Sequence, residues 1–282
     1  MVKTSPPPLP KRGSPVVKAA RRRWAWEWLA PLLVGIGVVL AWEGGVRLFQ
    51  VSPFLLPAPS LILQTLQRDW PELSGSLWMT LVTTVQAFLV AMISGVAVAI
   101  VFTLSPWVER SFFPYAVVLQ TVPIVAIVPL LLVWTKFNTP LTMLICAWIV
   151  AFFPILSNTT LGLKSVDHNL LNLFQLYGAK GWQTLLYLRL PSAMPYFLAG
   201  LRISGGLSLI GAVVAEFAAG TGGQKAGLAY QILISSYNLQ VPRMFAALTL
   251  VMLLGIAIFA LLGWISDLIL GRWHESAVRR EN

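Results

Sequence analysis

The chain predicts an all-α integral membrane protein with about six transmembrane helices, and three observations carry that prediction. Of its 282 residues, 57% are hydrophobic and only 11% charged, with mean hydropathy +0.77; a soluble domain carries about 25% charged residues. Apolar runs of roughly 20 residues recur, long enough to cross a hydrocarbon core of about 30 Å as helices. Ten-residue segments of alternating polarity, the mark of a membrane β-barrel, are absent from the sequence. Domain counting by length therefore does not apply.

Residues 1–23 hold Pro6, Pro7, Pro8, Pro10 and Pro15 together with seven Lys or Arg. Such a segment cannot bury a core, and the expectation is a disordered cytoplasmic tail. Arg21-Arg22-Arg23 abuts an apolar run in the manner of a signal peptide, yet no small-residue cleavage site follows. The run continues from about Trp28 to Leu48, so it reads as an uncleaved first span with Trp24, Trp26 and Trp28 at the interface. Residues 50–77 are mixed and broken by Pro53, Pro57, Pro59 and Pro71, with Ser60 placed to cap a short amphipathic helix through Leu66. The second span is expected at about 79–104 and is followed by the turn SPWVER. The third, about 112–134, contains Pro114, Pro123 and Pro129, which free backbone carbonyls and kink a helix. The fourth lies at about 141–161, the fifth at 193–219 and the sixth at 244–265. The membrane domain thus covers 24–273, and 274–282 is a second cytoplasmic tail.

Charge placement orients these spans. With both termini inside, the cytoplasmic segments hold 14 of the 20 Lys and Arg, and the outer segments hold Arg68, Lys136, Lys225 and Arg243. Arg47 and Arg202 are left at span edges. The positive-inside rule then puts both ends and the segment 167–195 in the cytoplasm.

That segment, DHNLLNLFQLYGAKGWQTLLYLRLPSAMP, is neither strongly apolar throughout nor short. It reads as two short helices joined at Gly178, with Ser165 and Asp167 as candidate N-caps and Gly178 as the C-terminal stop. The second helix is expected from about Lys180 to Arg189, ended by Pro191 because the residue before a proline is pushed out of the α region. On the first helix, Leu170, Leu171 and Phe174 share a face.

Gly178, then nine residues, Leu188, one residue, and Leu190-Pro191 is a spacing that resembles the conserved cytoplasmic loop of permease subunits in bacterial ATP-binding-cassette (ABC) importers. IVPLLLVW (127–134), AFFPILSNTTLGLKSVD (151–167), LPSAMPYFLAGLRIS (190–204) and VVAEF (213–217) are similar to the branch handling nitrate, alkanesulfonates and taurine. The resemblance covers about 56–273. It implies a type I importer permease in the bacterial inner membrane, working as a pair of copies, likened here to a homodimer. ATPase subunits would dock on a coupling loop at about 165–192, and a solute-binding protein would deliver cargo outside. The loop residues so implicated are Leu170, Leu171, Asn172, Leu173, Phe174, Gly178, Ala179, Leu188, Leu190 and Pro191. The family usually carries Glu-Ala-Ala six residues before the glycine; here Asn172, Leu173 and Phe174 stand there, so the grip on the ATPase should rest on apolar burial more than on an ion pair.

No catalytic constellation and no metal cluster can be assembled from these residues. GTGGQKAG (220–227) is not a phosphate-binding loop, because Lys225 is followed by Ala226 and the spacing fails; it reads as an outer loop. His168 and His274 both fall in cytoplasmic segments, His168 as a helix-start surface residue. Cys146 is a small packed side chain inside an apolar run. No cofactor is expected on this chain, ATP being bound by the partner subunits, and the dispersed basic residues argue against nucleic acid. The polar residues at membrane depth are Gln86, Gln120, Asn158 and Glu216, the candidates for a translocation path. Glu216 is the one carboxylate well inside a span, where charge costs on the order of 3 kcal/mol, so it should pair with a donor, face the bundle or line water. Gly200, Gly205, Gly206 and Gly211 read as close-packing positions.

The favoured function is therefore a non-catalytic permease subunit importing a small anion such as nitrate, a sulfonate or taurine. A permease for a neutral heterocycle, such as a pyrimidine vitamin precursor, is the alternative. A self-contained secondary transporter is the other class, and it lacks a repeat between the halves and a set of charged ion-site residues.

Overall fold

The computed structural model describes residues 15–219 and 226–271, with side chains described from residue 30 onward apart from residue 32. Among the described residues every regular element is helical. The chain divides into two compact units, Met1–Gln64 and Thr65–Asn282.

In the first unit, α1 (Pro15–Leu48) contains the expected first span. It also takes in residues 15–23 of the expected tail, because Pro15 suits the opening of a helix and VVKAARRR is rich in helix formers. Its apolar side chains, among them Leu33, Val34, Ile36 and Leu40, are exposed within the unit, as on a helix that meets lipid or other chains. The short helix α2 (Pro59–Arg68) starts one residue before Ser60, so Ser60 is not its cap. Instead the Ser60 N–H and hydroxyl both donate to the Glu43 carboxylate of α1, at 2.9 and 2.8 Å. A carboxylate from a neighbouring helix thus takes the place of the expected cap.

In the second unit, α3 (Trp70–Leu104) starts nine residues before the second expected span. Pro71 opens this helix instead of breaking the chain, since the first turn of a helix needs no partner for the missing N–H. The third expected span is not one kinked helix. It is a pair, α4 (Pro106–Thr121) and α5 (Ile124–Trp134), bent by 102°. Val122, before Pro123, is extended (φ −64°, ψ 123°), which is where the proline ring forces it, whereas Pro114 and Pro129 stay inside their helices. The fourth span is α6 (Thr139–Lys164), capped by the Asn138 side chain accepting from the Leu141 N–H.

Two short helices follow, α7 (His168–Leu176) and α8 (Gly181–Thr184). The chain then passes through a π-helical turn, Leu185–Arg189, directly into α9 (Leu190–Ala219). Pro191 therefore does not end the second loop helix. The wider turn, with the Leu190 N–H bonded back to the Leu185 carbonyl, shifts the carbonyls that the proline ring would otherwise strike. A last pair, α10 (Leu228–Tyr237) and α11 (Val241–Leu270), completes the unit. Among the described residues, four helices are long and apolar enough to cross a membrane: α3, α6, the run Gly181–Ala219 and α11. The bent α4–α5 pair makes up to a fifth crossing. Residues 1–14, 220–225 and 272–282, with most of the glycine-rich outer loop and both chain ends, lie outside the described residues.

Small residues let the spans approach. Ala87, Ala147 and Ala212, one from each of α3, α6 and α9, meet fully buried. A Cβ on Gly211 would stand 2.7 Å from Ala147 Cα, and one on Gly200 would stand 3.0 Å from the Pro154 carbonyl oxygen. The Ser204 hydroxyl donates across to the Ala151 carbonyl at 2.7 Å. In lipid, where burial of apolar area gives little drive between helices, such close packing holds a bundle together. Gly205 is equally tight, against Leu262, but Gly206 faces open space and is not a packing position.

Candidate functional site

The two features of functional interest lie at opposite ends of α9. At its start is the loop 165–192. Asp167, not Ser165, caps α7, its carboxylate accepting from the Asn169 N–H at 2.8 Å; Ser165 instead closes α6. At the other end of α7, Gly178 has φ +66°. The Gly178 N–H bonds the Gln175 carbonyl at 2.9 Å and the Ala179 N–H bonds the Phe174 carbonyl at 3.0 Å. These two bonds make a Schellman ending, which requires a left-handed residue at the glycine position. The chain restarts at Lys180, whose N–H donates to the Gln183 side chain at 2.7 Å.

No residue of α7 is buried. Leu171 and Phe174 are half-buried, while Leu170, Asn172, Leu173, Leu176 and Tyr177 are exposed, the last two at 84%. Leu170 thus parts from Leu171 and Phe174: the apolar arc is wider than the sequence grouping, and its Leu170–Leu173–Leu176–Tyr177 edge is uncovered. Trp182 and Tyr187 carry exposed aromatic surface on the next turns, their rings 6.5 Å apart. Leu188 is buried, and Ala179, Leu190 and Pro191 are half-buried, so this end of the motif is seated in the protein while α7 stands clear of it. α7 thus presents an uncovered apolar edge on the left-handed Gly178 turn.

At the far end of α9, Glu216 is only 3% exposed. Thr80 of α3 donates its hydroxyl to Glu216 Oε1 at 2.9 Å, and the Ala229 N–H donates to Oε2 at 3.0 Å. Thr80 in turn accepts from the Leu228 N–H at 2.9 Å. The carboxylate therefore sits on the first turn of α10, where free N–H groups and the helix dipole favour negative charge. Of the other expected path residues, Gln86 and Gln120 are exposed, and Asn158 is half-buried with its amide donating to the Pro154 carbonyl of its own helix. No hydrogen bond joins any two of the four. Two cavities along α4 have volumes of about 370 and 430 Å³, and neither is lined by any of them.

Thr80 and Ala229 carry no sequence signal, and Gly227, read from the sequence only as part of the outer loop 220–227, is the N-cap of α10. The only local signal was the glycine at 227, whose added Cβ would fall 2.1 Å from Glu216 Oε1. Arg202 is also displaced from expectation. It lies twelve residues inside α9 and not at a span edge, its guanidinium over the Phe259 ring at 5.1 Å and against Gly263.

A bundle of helices long and apolar enough to cross a membrane, with an uncovered helix–glycine–helix between two of them, defines a multi-pass membrane protein. Sequence comparison gives the same class. Residues 87–272 match the family described as the binding-protein-dependent transport system inner membrane component, and this chain belongs to it. It is 33% identical over 275 residues to the riboflavin transport system permease protein RibX of Chloroflexus aurantiacus, covering 94% of this chain and 97% of that one. It is 30% identical to the formylaminopyrimidine transport permease protein ThiX of Halalkalibacterium halodurans, over 87% of this chain and 96% of that one. It is 28% identical to the taurine transport system permease protein TauC of Escherichia coli, over 88% and 90%. The chain is thus a multi-pass inner membrane permease subunit of a binding-protein-dependent importer for small solutes.

Proposed function

We propose that this permease works as a pair of identical chains, driven by separate ATPase subunits that bind ATP and seat on α7. The observation that carries this reading is the uncovered apolar edge of α7 on the Gly178 turn. ATP-driven closure of the ATPases would draw the two loops together. Because α8, the π turn and α9 are continuous, movement of the loop passes into a membrane span without a flexible joint. The permease alone has no differential free energy to shift its states, so uptake needs the ATPase. A solute-binding protein would deliver cargo to the face at the α10 end, and both chain ends and the loop would be cytoplasmic, as the distribution of Lys and Arg supports.

For the solute, a small heterocycle is the first reading, supported by the relatives named for riboflavin and formylaminopyrimidine. A small anion is the second, supported by 30% identity over 92% of the chain to a Bacillus subtilis permease named for aliphatic sulfonates. Proteoliposomes holding the permease and its ATPase, supplied with binding protein, would be tested with radiolabelled riboflavin and taurine. Accumulation of either only with ATP and ATPase is expected. Uptake by the permease alone, driven by an ion gradient, would instead make it a secondary transporter.

A further inference from the structure

The helix α10 lies between α9 and α11, at the end of the bundle opposite α7 and α8, and it is fastened in two different ways. One turn into the helix, Gln231 is tied by partly buried bonds. Gln231 donates to the Ser76 hydroxyl at 3.0 Å, and Arg243 at the start of α11 pairs with Glu72 and donates to the Gln231 side chain at 3.1 Å. Its first turn is tied in a dry place. Glu216 of α9 and Thr80 of α3 are 3% and 0% exposed, and Leu228 and Ala229 are fully buried. Both carboxylate oxygens of Glu216 are used, one by the Thr80 hydroxyl and one by the Ala229 N–H, and Thr80 passes the contact on to the Leu228 N–H. Three helices thus converge on one carboxylate. Gly227 makes room for it, since a Cβ there would lie 2.1 to 2.3 Å from the three atoms of the carboxylate.

We propose that Glu216, Thr80 and Gly227 form a dry latch that fixes α10 across its end of the bundle, and that Glu216 is a positioning residue acting on transport through α10, not a solute ligand. Two physical points support this. At 3% exposure the carboxylate presents almost no surface to a passing solute, whatever acceptor capacity its oxygens retain. Breaking the latch leaves buried N–H groups on α10 unpaired, which favours swinging the helix to water over staying in place. The proposal deepens the importer reading and rests on it for its transport readout only.

The test uses the full chain in nanodiscs for labelling and the permease–ATPase complex in proteoliposomes for uptake. Ser235, on α10 and fully buried, is replaced by Ser235→Cys in a Cys146→Ala background, which removes the chain's one native thiol. Alkylation by N-ethylmaleimide then reports whether α10 has left its seat. Thr80→Val, Gly227→Ala and Glu216→Leu are each expected to raise alkylation at position 235 at least tenfold. They should cut ATP-driven uptake of the probe that scores in the riboflavin and taurine screen about as much. Glu216→Gln should stay within threefold of the parent in both assays, because the amide can still accept from Ala229 while donating to the Thr80 oxygen. If Glu216→Leu fails to fold, Thr80→Val, which exchanges one hydroxyl for a methyl, carries the test. The latch is overturned if position 235 stays protected in Thr80→Val and Gly227→Ala. It is also overturned if Glu216→Gln alone abolishes uptake, since the charge would then be what transport needs. Absence of ATP-driven uptake of both riboflavin and taurine in the parent complex would refute the solute reading, while the alkylation pattern would still decide the latch.

Discussion

Replacing Gly178 isolates a backbone effect with almost no steric component. A Cβ built at Gly178 meets nothing within 4 Å, so the cost of a side chain is the left-handed conformation itself, φ +66°. For most residues that is about 1–2 kcal/mol, less for Asn, whose side chain tolerates this region. At 1.4 kcal/mol per factor of ten, Gly178→Ala should lower the population of the intact α7 ending roughly five- to thirtyfold. Gly178→Val should lower it further, because a β-branched residue is a greater outlier at positive φ. The Schellman bonds from Gly178 to Gln175 and from Ala179 to Phe174 would be lost with it. Co-purification of the ATPase subunits with the tagged permease, titrated with ATPase, gives the apparent affinity. The expected order of binding is Gly, then Asn, then Ala, then Val, with membrane insertion and yield unchanged because the site is exposed. Equal affinity for Gly and Val would refute the reasoning, and so would Asn ranking below Val.

Three further outcomes are expected. Gly211→Leu should lower the thermal stability of the purified protein by an amount typical of overpacking, about 1–3 kcal/mol, because its side chain must enter where Ala147 Cα already stands; an unchanged melting temperature would remove Gly211 from the α6–α9 contact. Lys164→Gln should cost less than about 1 kcal/mol in the same assay, since the pair it makes with Glu109 leaves the lysine side chain 43% exposed to screening. Reporter fusions at Asn282 should be active in the cytoplasm, from the 14-to-4 distribution of Lys and Arg between the two sides; periplasmic activity would invert the topology.

How much was legible in the sequence followed the range of the forces involved. Apolar runs predicted the helices α3, α6, α9 and α11 because hydrocarbon leaves a backbone no partner except its own helix, a constraint that each segment satisfies alone. The Asp167 cap and the Gly178 stop were readable for the same reason, since a cap or a left-handed turn is settled within about four residues. The prolines mark the limit. Pro114, Pro123 and Pro129 look alike in the sequence, yet only at Pro123 does the chain turn by 102°. Pro191 was expected to stop a helix, and a π turn carries the chain past it. A proline removes one hydrogen bond wherever it stands, and neighbouring helices decide whether the chain bends, widens or breaks there. The surroundings of Glu216 were still further from view. Its partners are 136 and 13 residues away in the chain, one a threonine and one a backbone N–H, and neither has a residue pattern that marks it. The sequence determined that a carboxylate in this span needs a donor, because burying charge is costly. Only the tertiary structure, by crossing α3 over α9 and bringing the start of α10 against both, decided that the donors are the Thr80 hydroxyl and a helix end.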